Sequence, residues 1–331
     1  MRKNKKRFIV PVIILVVFLL IFGYIKMFNG HLIYFSTGLK KDVLMKVDNE
    51  KDYVFEAKIL MSDAKTQYEN LFGNSVWEQN IDGNKFEDYI KDQIRTKLIR
   101  VRCMNSMAKD KGIVLSREEK DNVSKASEKY YKSLSEEQIK DLNVTQDKLT
   151  EMFSEFAIAR KLYQDVISTM NFEISYDDAR VIQIQYIVSS DRQQIENAKN
   201  ELNNGSSFFA IAKEVNADGE YELELKRGVM DSNFEEAAFN LKSTETSDIV
   251  EAADKYYIIR CISDNDKVKT EINRSAMIED RQLDEFNKTF ESYEADKYIE
   301  WNNKVWDSLK LSKASTFELN FEDTFNEFLK K

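Results

Sequence analysis

Side chains that ordinarily carry covalent or metal chemistry are nearly missing from this 331-residue chain, which has one histidine, His31, and two cysteines, Cys103 and Cys261. A lone imidazole has no second imidazole to work with, and no Cys/His cluster has the spacing of a zinc site. Neither a metal nor a cofactor is expected. His31 follows an apolar run and reads as an interfacial polar residue. The two cysteines lie far apart, in segments that read as buried. Buried free thiols fit that setting, and a single disulfide between them stays open.

The elements around these residues begin with a charged start. Arg2, Lys3, Lys5, Lys6 and Arg7 precede an uncharged, apolar run from Phe8 to Ile25 that closes at Lys26. At 1.5 Å per residue a helix of that length spans roughly 27 Å, enough for a thin bilayer core. The basic cluster keeps the N-terminus cytoplasmic by the positive-inside rule, so the remainder is expected outside the cell membrane. A cleaved signal would need a shorter apolar run and a small-x-small cleavage site, and the stretch Gly23 to Ser36 offers no Ala-x-Ala. With Lys26 and the five leading cations set aside, the net charge of −9 becomes −15 for the ectodomain. Such a surface disfavours nucleic acid and anionic lipid.

Nine glycines and one proline leave no flexible linker, so the elements are expected to join by short turns. Val43–Val47 and Val54–Leu60 read as short strands or an extended entry. Phe86, Tyr89, Ile90, Gln93, Ile94, Lys97 and Leu98 share one face of a helix that Gly112 ends. Ser116 to Glu119 is a capping box, and Thr145 opens a helix carrying Leu149, Met152, Phe153, Phe156 and Leu162. These apolar rows are the packing face of a helical bundle. The period changes near Asp178. Val181, Ile182, Ile184, Tyr186 and Val188 form a β-type run, followed by helices over 191–204, 207–214 and 234–239 and strands over 248–250 and 255–262. That order describes one compact α+β domain. From Ile272 to Leu311 the chain again reads as helix.

The middle segment resembles a parvulin-type (PpiC) peptidyl-prolyl isomerase domain over roughly 178–264. Arg227-Gly-Val-Met-Asp-Ser-Asn-Phe-Glu-Glu-Ala-Ala-Phe-Asn-Leu matches RGQM-x-x-x-FE-x-A-x-F-x-L. Asn204-Gly-Ser-Ser-Phe-Phe-Ala-Ile-Ala matches NG-x-x-F-x-x-L-A, Ser247 to Val250 matches S-x-P-V, and Tyr256 to Arg260 matches G-[YFI]-H-I-I-[KR]. The wider layout is similar to PrsA/SurA-type extracytoplasmic foldases. The resemblance implies an α+β fold with an N-terminal transmembrane helix, a discontinuous helical chaperone-like domain and an inserted domain built on a small antiparallel sheet. The expected boundaries are a cytoplasmic tail over 1–7, an anchor over 8–28, a helical domain over 29–176 with 268–331 packing back on it, a parvulin-like domain over 177–266 and a C-terminal helical segment over 267–331.

Residue by residue, the resemblance puts the pocket for the substrate proline at Met230 and Phe234, with Leu223 or Leu225 as a third wall. The two family histidines fall on Tyr186 and Tyr257, and the family Cys or Asp falls nearest Asp218. The loop from there to Leu225 is shorter than the family's and lacks its GGDLGWF tract. Prolyl isomerisation breaks no bond, so a dry pocket that binds the twisted amide is sufficient, and Tyr keeps a hydroxyl donor where imidazole is lost. The expected partners are unfolded or proline-containing segments of secreted proteins, with homodimerisation left open. Two functions remain: an isomerase-like folding factor, or a non-catalytic holdase or scaffold whose domain only binds.

Overall fold

Short polar side chains start several of the helices in this chain. The computed structural model describes residues 33–35, 38–81 and 83–329. The chain forms β1 (Ile33–Phe35), β2 (Val43–Val47), β3 (Glu50–Tyr53), α1 (Val54–Phe72), β4 (Asn80–Ile81), β5 (Asn84–Lys85) and α2 (Phe86–Asp110). Next come α3 (Arg117–Ser133), α4 (Glu136–Leu142), α5 (Gln146–Ser168) and the single turn α6 (Tyr176–Ala179). Then follow β6 (Ile182–Ser189), α7 (Arg192–Asn203), α8 (Phe208–Val215), β7 (Glu222–Leu225), α9 (Ser232–Asn240), β8 (Val250–Ala252) and β9 (Lys255–Ser263). The rest is α10 (Lys267–Ala295), β10 (Ile299–Trp301), α11 (Asn303–Ser308) and α12 (Phe321–Leu329). Ser116 Oγ accepts from the Glu119 N–H while Glu119 Oε2 accepts from the Ser116 N–H, the reciprocal cap expected for α3. Ser135 and Gln138 repeat it at α4, and Thr145 caps α5.

The chain divides into two compact units, 1–169 with 286–331, and 170–285. In the first, α2, α3 and α5 pack around one apolar core. Aromatic rings fasten α12 to α5: Phe321 lies 4.5 Å from Phe153 and 4.9 Å from Phe156, centroid to centroid. The unit also holds a four-stranded sheet in the order β1-β10-β2-β3. Two expectations fail here. Val54–Leu60 is helical, because Glu56 accepts from the Tyr53 N–H at 2.9 Å and starts α1, whose first turns are buried on nearly every side. An apolar run buried all round looks the same as a strand in sequence. The stretch Ile272–Leu311 is not one helix either. It breaks after Ala295, and β10 pairs antiparallel with β2 (Ile299↔Val47, Trp301↔Met45) and parallel with β1.

The second unit is built on an antiparallel sheet in the order β7-β6-β9-β8. Alternation along β6 sends Ile182, Ile184, Tyr186 and Val188 to the face covered by α9, and Ile187 to the face covered by α7 and α8. The fold is therefore mixed helix with a small antiparallel sheet. Among the described residues no helix is long and apolar enough to cross a membrane. The basic tail 1–7, the expected anchor over 8–28 and His31 lie outside the described residues. Cys103 and Cys261 are both buried free thiols. Burial raises both, that of Cys261 to about 11, so neither is a ready nucleophile.

Candidate functional site

The α9 face of the second sheet gathers the residues singled out above. Phe234, Leu225 and Tyr257 are buried there, and Tyr186, Leu223, Met230 and Val188 pack against them half-buried. The strand register explains the grouping. Tyr186 lies opposite Ile259 and Val188 opposite Tyr257, so the two tyrosines are diagonal neighbours on one face, a relation that sets the residues about 7–8 Å apart, with their Cβ atoms somewhat closer. The Tyr257 ring meets Phe234 edge-on at 4.9 Å. Leu223 pairs with Ile184 and Leu225 with Ile182, and Leu225 is fully enclosed while Leu223 is not. Of the two leucines, Leu223 is the one with surface to offer a ligand.

No hydrogen bond joins the two tyrosine hydroxyls, and among the described residues neither has a protein partner. Burial raises the Tyr186 hydroxyl above its usual value, helped by the charges of Asp218 and Glu220 and by Tyr257. Burial and the charge of Asp231 do the same for Tyr257. Both stay protonated and able to donate at neutral pH. Asp218 stands apart from the apolar group. It is exposed, and its Oδ1 accepts from the Glu220 N–H at 3.0 Å, so it acts on Tyr186 through charge alone.

Two residues that sequence reading passed over hold this face in shape. Asn216, only 4% exposed, accepts from the Val188 N–H at 2.8 Å and donates to the carbonyl oxygens of Tyr186 and Glu220. It fastens the 216–220 loop to β6 beside Tyr186. Glu235 accepts from three successive backbone N–H groups, those of Gly228 (2.9 Å), Val229 (2.7 Å) and Met230 (2.8 Å). Burial works against its charge, but these three donors and Arg227 hold its carboxyl below the usual glutamate value. The left-handed φ of +81° at Gly228 makes the turn that points those amides at one carboxylate. The Glu of the FE pair was legible as a motif member. Its task as the clasp of the Arg227–Met230 loop was not.

The described residues also contain a group of donors that could hold a metal: Asp52, Glu56 and Glu155, in the first unit, bring carboxylate oxygens within 4.8 Å of one another. Arg102 already bridges two of them, with Nη2 at 2.6 Å from Asp52 and 2.8 Å from Glu155. Burial, with the neighbouring negative charges, raises Glu56 well above its usual value and Glu155 to about 8, and burial raises Asp52 to about 6. At neutral pH the Arg102 guanidinium therefore faces the Asp52 carboxylate, Glu155 favours its protonated form, and burial pushes Glu56 in the same direction. The cluster is a neutralised core feature.

Strand order and helix placement in the second unit fit the parvulin-type domain that the motifs led one to expect. Comparison with known proteins agrees: residues 188–263 match the PPIC-type PPIASE domain family, and residues 1–126 match the SurA-like N-terminal domain family. Foldase protein PrsA of Caldanaerobacter subterraneus subsp. tengcongensis is 26% identical over 291 residues, covering 85% of this chain and 89% of that protein. The PrsA foldase of Clostridium acetobutylicum is 25% identical over 283 residues, covering 75% and 83%. Among solved structures, a peptidylprolyl isomerase (PrsA) from Bacillus cereus aligns with a TM-score of 0.37 at 18% identity, over 78% of this chain and 100% of that one. The chain is thus similar to PrsA foldases over most of its length and carries a segment that matches the parvulin-type (PPIC) domain family.

Proposed function

We propose that this chain is an extracytoplasmic protein-folding factor, anchored to the cell membrane by residues 8–28, that binds unfolded segments of secreted proteins and turns their prolyl bonds. The anchor and the outward orientation rest on the basic cluster and apolar run of the first 26 residues. The observation that carries the activity is the grouping of Met230, Leu223, Tyr186 and Tyr257 on one sheet face. An amide resists rotation by about 18–20 kcal/mol because of its resonance. A surface that grips the proline ring with a thioether and a leucyl side chain takes the bond out of water. Tyrosine hydroxyls beside it donate to the carbonyl oxygens that flank the twisted amide. Catalysis follows to the extent that these contacts favour the twisted form over both planar ones.

The non-catalytic alternative also has an observation behind it. Phe234 is 1% exposed and Tyr257 8% exposed, so part of the family pocket is closed by its own side chains. Refolding of a denatured client whose slow phase is limited by proline isomerisation separates the two readings. A folding factor of the first kind speeds that phase in proportion to its concentration. A pure holdase lowers aggregation and leaves the phase at its unassisted rate of tens of seconds or longer.

A further inference from the structure

We infer that the site selects prolyl bonds flanked by a cationic residue, lysine or arginine, in an unfolded chain. The inference rests on the reading of the Tyr186–Tyr257–Met230 face as the prolyl site, and names the substrate class for it. Tyr257 is more than nine-tenths buried with a hydroxyl that has no protein partner among the described residues, and it lies on the face shared with the half-buried Met230 and Leu223. An unpartnered hydroxyl that reaches solvent at a partly open apolar face is free to donate to a ligand acceptor.

Carboxylates lie on both sides of this face. On one side, the 216–221 loop is fixed to β6 by Asn216 and by the Tyr186 N–H donating to the Tyr221 carbonyl at 2.8 Å, and it carries Asp218 and Glu220. On the other, Asp231 follows Met230 directly and caps α9, accepting from the Asn233 N–H at 2.9 Å. Asp218, Glu220 and Asp231 are exposed, and none of the three takes part in an ion pair among the described residues. Their charges are felt at the two hydroxyls.

Two nearby cations are engaged elsewhere. Lys213 Nζ donates to the Gly219 carbonyl at 2.6 Å and sits 4.7 Å from the centre of the Tyr221 ring. Arg227 pairs with Asp177 and covers Phe239. Lys255 on β9, two residues before Tyr257, is a further exposed cation beside this face; counting it with Lys213, the three carboxylates keep an excess of one negative charge where the neighbours of a bound proline must lie. A lysine next to that proline gains, and a glutamate loses, about twofold per uncompensated carboxylate at a separation on the order of 8 Å in water.

The test measures cis–trans exchange by NMR in a tetrapeptide series Ala-Xaa-Pro-Phe, with Xaa as Lys, Ala or Glu, in the presence of the full chain. Peptide binding is read in the same samples from chemical-shift changes. At low ionic strength the expected order is Lys over Ala over Glu, with about a fivefold spread between the ends, shrinking toward equality at 1 M salt, where the screening length is about 3 Å. Asp231→Asn should flatten the order by removing that excess charge, and asparagine keeps the helix cap that aspartate supplies. Equal exchange rates and equal binding across the series would overturn the inference while leaving isomerase activity intact. Tighter binding of the Lys peptide with no acceleration of any peptide would support the cationic preference and remove the isomerase reading. No preferential binding and no acceleration would remove both.

Discussion

Replacing Glu235 by alanine removes one carboxylate and strands three backbone donors at once. The amides of Gly228, Val229 and Met230 all point at it within 2.9 Å, and the first two residues are exposed, so the freed N–H groups can turn to water. Each such bond is worth about 1 kcal/mol net, giving a loss of roughly 2–3 kcal/mol from the second unit. Glutamine leaves one oxygen, which can still take the Val229 and Met230 donors, but it sets an NH2 against the Gly228 N–H. Its cost should be about half as large. The pH dependence has a definite sign. The carboxyl is held below its unfolded value of about 4.5, so its contribution is complete above that pH and fades as pH falls through the lower folded value. The gap between wild type and Glu235→Gln should narrow by pH 3. All three tryptophans, Trp77, Trp301 and Trp306, belong to the first unit, so their fluorescence is a poor reporter here. Hydrogen exchange of the β6 and β9 segments and of the 228–230 amides is the suitable assay. The expected result is faster exchange in the order alanine, glutamine, wild type. Unchanged protection in the alanine variant would refute the clasp.

Further expectations concern the first unit. Arg102→Met leaves Asp52 buried opposite no cation and should cost about 3–5 kcal/mol, seen as a lower urea midpoint by tryptophan fluorescence; a loss under 1 kcal/mol would show that the guanidinium is not needed there. Glu155 is raised to about 8, mainly by burial, so the folded state holds its proton longer than the unfolded state does. Stability should therefore fall as pH rises from about 4.5 to about 8, by up to about 1.4 kcal/mol per pH unit for this group, and Glu155→Gln should flatten that slope. A first unit whose midpoint rises over the same range would contradict the protonated cluster.

Local signals carried well in this chain. The caps at Ser116 and Thr145 sit where a polar oxygen and the right spacing demanded a helix start, and the β6 alternation set Tyr186 and Val188 on one face. Met230 and Phe234 fell on positions that the motif singled out, Leu223 and Leu225 stood as candidates for a third wall, and the fold brings all four into one cluster. Val54–Leu60 failed on a local ambiguity between helix and strand, and the other failure was non-local. Ile299–Trp301 is three residues long and becomes a strand only because β1 and β2, more than 240 residues earlier, supply its hydrogen bonds. No window of sequence around Trp301 contains that information. Asn216 and Glu235 escaped for a related reason. Each bonds backbone groups whose direction depends on a turn, and the turn's φ angles are not written in residue type except at Gly228.

The central claim is that a prolyl amide is twisted on the sheet face beside Met230. NMR exchange spectroscopy on a Lys-Pro peptide, comparing the full chain with its Met230→Ala form, tests it most directly. Losing the thioether and its methylenes removes about 2 kcal/mol of apolar grip, so exchange catalysed by the variant should fall by roughly 20- to 50-fold. Catalysis by the variant at the wild-type rate, or none by the wild type itself, would contradict the account.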